Sequence, residues 1–146
     1  MEIPYILTRS GAKAPAYATP GAAAADLCAA LDAPLTLAPG QRAIIPTGVA
    51  VQLPGPQWVA LLCARSGLAV KRGLTLSNGV GVIDSDYRGE IGVGVVNLGE
   101  EPVTVEPGER VAQLMILPVA QAAFVQAQSL DETDRGEGGF GSTGRL

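Results

Sequence analysis

The sequence contains no histidine and only two cysteines among its 146 residues. Without histidine the chain cannot build an imidazole-ligated zinc site, a Ser-His-Asp triad or a Cys-His dyad. Cys28 and Cys63 each lie in an apolar run, and we expect both to be buried free thiols. Any chemistry must therefore come from carboxylates, hydroxyls, arginines, backbone amides or a bound metal.

Aromatic residues are also scarce, at 4% of the chain, although hydrophobic residues as a whole make up 47%. The core must therefore be built from Val, Ile, Leu and Ala. The 19 glycines and 11 prolines require frequent turns, which favours many short strands over long helices. At this length we expect one domain, an all-β sandwich or barrel.

Positive charge and long apolar runs are lacking as well. The net charge is −4 and the isoelectric point is about 4.7, which gives no support for binding to a nucleic-acid backbone. A few local arginines could still bind a small anionic substrate. There is no run of 18 apolar residues, and residues 1–4 lack a signal-peptide pattern. We therefore expect a cytoplasmic protein with no membrane or nucleic-acid partner.

Short apolar runs between glycine and proline turns predict β-strands. The run at 58–63 is apolar throughout, as in a strand that is covered on both faces. Similar turn spacing along the chain is typical of a β-sandwich. The four clearest runs are residues 49–53, 58–63, 90–97 and 110–117.

Residues 35–42 and 103–110 resemble one another. In each segment a short alternating strand runs into a Pro-Gly pair, the preferred centre of a type II turn, and a second strand follows. We interpret them as two independent hairpins that share the same turn chemistry, and not as a structural repeat.

One short helix is predicted at residues 67–72. Ser66 can cap its start, and Gly73 can end it in a left-handed conformation. A helix start offers unpaired N–H groups that suit a phosphate, and Arg65 beside it adds a fork of donors. The alternative is that Ser66 only caps the helix and Arg65 is only solvated.

Residues 78–90 form the most distinctive internal segment. Gly79 and Gly81 permit a tight backbone whose polar groups could pair with a flat polar ring. Asp84 and Asp86 follow an apolar run, so we expect one of them to be partly desolvated, which would raise its pKa and suit it as a base. The alternative is an ordinary polar turn between strands.

From Ser129 onward the chain loses its apolar periodicity and becomes rich in glycine and charge. Glycine-rich backbone can form nests for anions, with Arg135, Ser142 and Thr143 as further donors. Phe140 could stack on a nucleobase. The alternative is a flexible terminus with no ligand.

Taken in order, five stretches resemble the trimeric dUTP diphosphatases (dUTPases). The first departs from that family's pattern, with alanine at 22 and 24 where serine and glycine are usual, but it keeps Asp26, a candidate supporting residue. The five stretches are residues 21–27, 65–69, 78–90, 108–114 and 135–144.

The resemblance implies a jelly-roll-like subunit, a homotrimer and active sites shared between subunits. The β domain would span residues 1–128, and residues 129–146 would form a flexible arm that closes a neighbouring site. The implied reaction is hydrolysis of dUTP to dUMP and pyrophosphate, which limits uracil incorporation into DNA and supplies dUMP for thymidylate synthesis.

The resemblance also implies roles for individual residues. Asp84 would activate the water that attacks the α-phosphorus, and Tyr87 would pack under the deoxyribose. The uracil edge would be read by Asn78, Gly81, Val82 and Ile83. The phosphates would be held by Arg65, Ser66, Gly67 and Gln113. The arm would contribute Arg135, Phe140, Gly141, Ser142 and Thr143.

Magnesium is the implied cofactor, bound mainly through the substrate phosphates and water and not by direct protein ligands. Two alternatives remain open from the sequence. One is dCTP deaminase, which shares the implied fold but needs a glutamate base and donors for a cytosine amine. The other is a catalytically inactive trimer that binds nucleotide or a partner protein as a regulator.

Overall fold

The computed structural model describes residues 1–139, which form eleven β-strands and one helix. Short strands dominate, as the glycine and proline content predicts. The elements are β1 (Tyr5–Leu7), β2 (Ala25–Cys28), β3 (Leu35–Leu37), β4 (Arg42–Pro46), β5 (Val49–Val51), β6 (Trp58–Ala64), α1 (Ser66–Arg72), β7 (Leu74–Leu76), β8 (Gly81–Ile83), β9 (Gly92–Asn97), β10 (Val103–Val105) and β11 (Arg110–Pro118).

The strands pair antiparallel in four sheets, two of which enclose the core. The larger sheet has the order β2-β11-β6-β8, and the second has the order β4-β9-β7. Two-stranded pairs, β1-β5 and β3-β10, complete the fold. Side chains from both main sheets share one hydrophobic cluster, as expected for two packed layers. The predicted all-β, jelly-roll-like architecture is therefore confirmed.

The buried hydrophobic core contains only alanine, valine, leucine and isoleucine in the described residues. Leu27, Ile45, Val93 and Val105 are among its fully buried members. Trp58 packs against the edge of this cluster and remains partly exposed. The prediction of a core without aromatic residues is confirmed.

The two Pro-Gly segments form the predicted turns but not the predicted hairpins. Gly40 and Gly108 both have φ of 76°, the conformation that a type II turn requires at its third residue. However, β3 pairs with β10 and β4 pairs with β9, so neither turn joins two paired strands. The hairpin interpretation is wrong because each turn passes the chain from one sheet to another.

The short helix is present, but its cap differs from the prediction. Ser66 is the first helical residue. Arg65 occupies the cap position, but its side chain makes no capping hydrogen bond to the start of the helix. Gly73 ends the helix with φ of 71°, and its N–H bonds back to the carbonyl of Ala69, as predicted. No helix within residues 1–139 has the length and apolar character needed to cross a membrane.

Strand β6 alternates in burial, which corrects the expectation that both its faces are covered. Ala60 and Leu62 point into the core, whereas Leu61 and Cys63 are half-buried on the outer face of the sheet. Cys28 is also half-buried. The cysteines are free as predicted, but they are not fully buried, because this outer face carries no second layer in a single subunit.

After β11 the described chain contains no further strand or helix. Residues 119–137 are exposed, including Phe124 at 98% of its full exposure. Arg135 lies in a local turn, where its Nε donates to the carbonyl oxygen of Gly138 at 2.8 Å. The predicted arm residues Phe140, Gly141, Ser142 and Thr143 lie outside the described residues.

The carboxylate of Glu90 ties the loop after β8 to the N-terminal segment. It accepts hydrogen bonds from the Gly48 N–H at 3.0 Å, from the Thr8 hydroxyl at 2.9 Å and from the Arg9 guanidinium at 3.0 Å. Partial burial alone would raise the pKa of Glu90, but these hydrogen bonds outweigh it and lower the pKa below its ordinary value of 4.5.

The lowered pKa predicts an acid-dependent loss of stability. The contribution of Glu90 is fully present above its unfolded-state pKa and is lost as the pH falls through the lower folded-state pKa. Glu90→Gln places an amide donor opposite Arg9 and Thr8. We expect it to lower the free energy of unfolding by about 1 kcal/mol near neutral pH, a modest value because Arg9 is half exposed.

The measurement is urea unfolding at fixed protein concentration across acidic and neutral pH. The deficit of Glu90→Gln relative to the parent protein should shrink toward acid. Glu100→Gln changes an exposed carboxylate that forms no ion pair within residues 1–139, and it should leave the curve unchanged. A deficit for Glu90→Gln that is constant with pH would contradict this account.

Candidate active site

A cavity of about 250 Å³ opens beside β8, the loop that follows it and the start of β9. Six of the residues predicted to bind or activate substrate line this cavity together. The lining residues are Leu62, Asn78, Gly81, Val82, Ile83, Asp84, Tyr87, Glu90, Ile91, Gly92 and Gly94.

Glycines give this cavity its space. Gly81 faces Leu62 across the β6–β8 ladder, and a Cβ at Gly81 would lie 2.8 Å from the Cβ of Leu62. A Cβ at Gly94 would lie 2.9 Å from the Ser77 hydroxyl oxygen. Gly79 has φ of 74°, so the turn between β7 and β8 depends on a residue that tolerates this conformation. Close packing against Leu62 and Ser77 therefore requires glycine at positions 81 and 94 in the cavity wall.

Asp84 stands directly after β8, at the mouth of the cavity. Both Asp84 and Asp86 are exposed, which corrects the expectation that one of them is partly desolvated within the subunit. The apolar run ends with the buried Ile83, and the chain then turns outward, with the Tyr87 N–H donating to the Asp84 carbonyl at 3.2 Å. Only Asp84 of the two lines the cavity.

Tyr87 is held across the loop by its own neighbours. Its hydroxyl donates to the carbonyl oxygen of Glu90 at 3.0 Å. The ring lies so close to Gly89 that a Cβ at Gly89 would overlap the tyrosine hydroxyl. About half of the Tyr87 side chain remains exposed to the cavity and solvent. The ring therefore forms a fixed wall with an open face.

The cavity has no positively charged side chain among its lining residues. Of its two acids, Glu90 is paired with Arg9, whereas Asp84 forms no ion pair within residues 1–139 and leaves a negative charge at the cavity. Such a surface can bind an uncharged polar ring but repels a polyphosphate unless cations approach from elsewhere. The cavity by itself therefore lacks the positive charge that a polyphosphate needs.

Cationic groups gather instead around Asp26. Arg65 Nε lies 3.3 Å from Asp26 Oδ1, and Arg110 Nη1 lies 2.9 Å from Asp26 Oδ2. The amide of Gln113 also donates to Asp26 Oδ1 at 3.4 Å. In addition, Arg65 Nη1 donates to the carbonyl oxygen of Arg110 at 3.0 Å. Two arginines thus surround one buried carboxylate, which leaves an excess positive charge.

The start of α1 lies next to this cluster. Ser66 and Gly67 are exposed, and no atom lies within 4 Å of the position that a Gly67 Cβ would take. The first helical hydrogen bonds are those from Leu68 and Ala69 to the Arg65 carbonyl, so the N–H groups of Ser66 and Gly67 precede them. These two groups and Arg65 form a donor surface that suits a phosphate.

The structure thus divides the sequence-predicted residues into two groups. The cationic cluster around Asp26 contains Arg65, Ser66, Gly67 and Gln113. The residues predicted to contact uracil and the sugar line the cavity, together with Asp84, the predicted general base. Arg135 belongs to neither group in the described chain. Sequence reasoning missed Arg110 and Glu90, although each lies inside a stretch that carries the family resemblance.

No three His, Cys, Asp or Glu side chains within residues 1–139 lie close enough together to hold a metal ion. Magnesium prefers oxygen ligands and keeps several of its waters, and it is often bound by one or two carboxylates together with substrate phosphates. The exposed carboxylate of Asp84 and the open cavity mouth are compatible with a metal that arrives on the substrate.

Known proteins identify the family. The dUTPase family model matches residues 10–144. A deoxyuridine 5'-triphosphate nucleotidohydrolase of Desulfitobacterium hafniense is 57% identical over 99% of this chain and 95% of its own. One of Aeromonas hydrophila is 54% identical over 90% and 86% of the two chains.

Among solved structures, a dUTPase of Staphylococcus bacteriophage 80alpha with dUPNHPP is similar to this chain. Its TM-score is 0.90 at 29% identity, and the match covers 98% of each chain. A mutant dUTPase of phage phi11 of S. aureus, described with a structural Mg(II) ion, has a TM-score of 0.81 at 23% identity, with 90% of this chain and all of that chain covered. The family model and the relatives together show that the chain belongs to the dUTPase family.

Proposed function

We propose that the protein hydrolyses dUTP to dUMP and pyrophosphate. The observation that carries this proposal is the cavity, in which Asp84 stands at the mouth and Tyr87 forms one wall. Water attacks the α-phosphorus, its proton passes to the Asp84 carboxylate, and the bond from that phosphorus to the bridging oxygen breaks, so that pyrophosphate leaves. Membership of the dUTPase family favours this reaction over deamination of dCTP.

Uracil binds against the exposed backbone of β8 and the side chain of Asn78. Gly81, Val82 and Ile83 line the cavity, so their backbone groups are the ones that a flat ring in the cavity would meet. A site that pairs the uracil edge would leave its groups unpaired with cytosine, at a cost of about 1–3 kcal/mol for each group. The 5-methyl group of thymine is excluded by the tight turn at Gly79.

Tyr87 selects deoxyribose over ribose. Its hydroxyl is bonded to the Glu90 carbonyl and its ring lies against Gly89, so the ring cannot easily move away from the sugar. A 2′-hydroxyl would collide with this fixed wall. Discrimination of this kind is steric and needs no charged residue.

The triphosphate is held by the cationic cluster and the helix start of a neighbouring subunit. Within one subunit the cavity offers no cation, whereas Arg65, Ser66, Gly67 and Gln113 form a donor surface outside it. A homotrimer that sets one subunit's cavity beside another's cluster supplies the missing positive charge. Phosphoryl transfer depends mainly on such positioning and charge neutralisation.

The outer face of the β2-β11-β6-β8 sheet supports this assembly. Leu61 pairs in register with Met115 and Val82, and Val59 pairs with Leu117. These apolar side chains are half-buried or exposed and belong to one face of the sheet. Covering the face with further subunits removes apolar surface from water, which favours association.

The C-terminal arm, residues 129–146, closes on the neighbouring site. Arg135, Ser142 and Thr143 contact the γ-phosphate, while Phe140 and Gly141 cover the base. Exposure of the described part of the arm leaves it available to another subunit. Its closure excludes water other than the attacking molecule.

Magnesium would be bound through the triphosphate and water, and Asp84, an acidic side chain that lines the cavity, could contact that water. When bound, the metal neutralises phosphate charge and fixes the phosphate conformation. We place the reaction in the cytoplasm.

Asp84→Asn tests whether Asp84 is the general base. The amide keeps the size of the side chain but cannot accept the proton, so turnover should fall by about 10³-fold or more while affinity for a non-hydrolysable dUTP analogue is retained. Asp86→Asn changes an exposed neighbour that does not line the cavity and should remain active. Pyrophosphate release measures both variants. Near-normal turnover of Asp84→Asn would remove Asp84 as the base.

Tyr87→Ala tests whether the tyrosine ring excludes the 2′-hydroxyl of ribose. Removal of the ring should raise kcat/KM for UTP relative to dUTP by about 10-fold or more, because the steric barrier to the 2′-hydroxyl is lost. Tyr87→Phe keeps the ring and should keep most of the discrimination. Competition assays with both nucleotides measure the ratio. If Tyr87→Ala leaves the ratio unchanged, Tyr87 does not select deoxyribose over ribose.

Deletion of residues 134–146 tests the arm. The truncated protein should remain a trimer by light scattering but lose about 100-fold or more in kcat/KM, since its sites stay open to water. Deletion of residues 145–146 alone is the matched control and should be active. Full activity of the longer truncation would show that the arm does not close the site.

A further inference from the structure

Asp26 differs from the other buried polar residues of the described chain. Thr47 and Asn97 are also buried, but their side chains bond to backbone groups and so serve the fold. The carboxylate of Asp26 bonds instead to three side chains, those of Arg65, Arg110 and Gln113. Two of these belong to the proposed phosphate-binding set.

The burial of Asp26 requires a compensating charge. A buried carboxylate without partners is costly, and one arginine is enough to neutralise it. Arg110 meets this need through Oδ2, and about half of its side chain remains exposed. The contact between Oδ1 and Arg65 is therefore an additional one, and the cluster as a whole stays positive.

The same contacts restrict the guanidinium of Arg65. Its Nη1 donates a hydrogen bond to the carbonyl oxygen of Arg110 at 3.0 Å, and its Nε lies 3.3 Å from Asp26 Oδ1 in an ion pair, so the planar group is held at two of its nitrogens. Its Nη2 has no hydrogen-bond partner among residues 1–139. A guanidinium that is fixed before substrate arrives loses less rotamer entropy on binding an oxyanion.

We infer that Asp26 is a positioning residue that sets the orientation of Arg65 and Gln113 for the triphosphate. This inference rests on the proposed function, in which those two side chains hold phosphates. Asp26 itself touches no substrate. Its strand, β2, pairs with β11 so that Asp26 lies opposite Gln113, which fixes both partners on one ladder.

Asp26→Asn keeps the shape of the side chain but removes the charge that holds Arg65. We expect KM for dUTP to rise about 10-fold or more while kcat changes less than about threefold, because a phosphate contact is weakened equally in the ground state and the transition state. Inhibition by deoxyuridine, which has no phosphate, should be unchanged.

Glu109→Gln is the matched control. Glu109 is also a carboxylate bound to an arginine, Arg72, but that pair lies outside the cluster. The same carboxylate-to-amide change should leave KM for dUTP unchanged. An equal rise of KM in both variants would show a general loss of structure and would overturn the inference.

A double-mutant cycle separates positioning from an independent role. If Asp26 acts through Arg65, Asp26→Asn should raise KM by less than about twofold in an Arg65→Ala background. If the double variant instead raises KM by the product of the two single-variant effects, the inference would be overturned. Wild-type protein that releases no pyrophosphate from dUTP would instead overturn the proposed function, and the two failures are therefore distinct.

The wild-type protein offers a second measurement if Asp26→Asn does not assemble. In the free protein, NMR relaxation of the Arg65 Nε–H should show an ordered side chain, whereas the exposed Arg42 should be mobile. An Arg65 signal as mobile as that of Arg42 would mean that the guanidinium is not held in advance, and the inference would fail.

Discussion

Negative charge at the cavity is the constraint on which the rest of the site depends. No cation lines the cavity, and Arg9 is already paired with Glu90, so the charge of Asp84 is uncompensated and the cavity alone cannot hold a triphosphate. Two arginines, Arg65 and Arg110, lie instead around the buried carboxylate of Asp26. Under the proposed function, separation of the two halves within one subunit gives a physical reason for an active site that two subunits share.

Strand β6 and the two strands that pair with it, β8 and β11, position both the cavity and the cationic cluster. Strand β6 contributes Leu62 to the cavity floor through its pairing with β8, and Arg65 follows the end of the same strand. Strand β11 lies on the other side of β6 and aligns Gln113 between Cys63 and Asp26. Sheet register therefore sets the spacing of the cavity and the cationic cluster within one subunit, whereas under the proposed function the contacts to one nucleotide also depend on how two subunits pack.

Local chemistry was predictable from the sequence, but strand partners were not. The left-handed Gly73, the Pro-Gly turns and the aliphatic core follow from residue preferences that act over a few positions. The pairing of β3 with β10 joins residues far apart in the chain, and no local pattern specifies it. For the same reason the contacts of Glu90 with Thr8 and of Arg110 with Asp26 could not be inferred, although both residues lay in recognisable stretches.

The exposure of Asp84 links catalysis to assembly. A carboxylate in water is well solvated and is a weak base, and nothing within its own described subunit covers Asp84. Under the proposed function, the surroundings that tune this group come from the bound triphosphate, the neighbouring subunit and the arm. The base is then formed only when substrate is enclosed, so that water is activated beside the bound triphosphate and not in the open cavity.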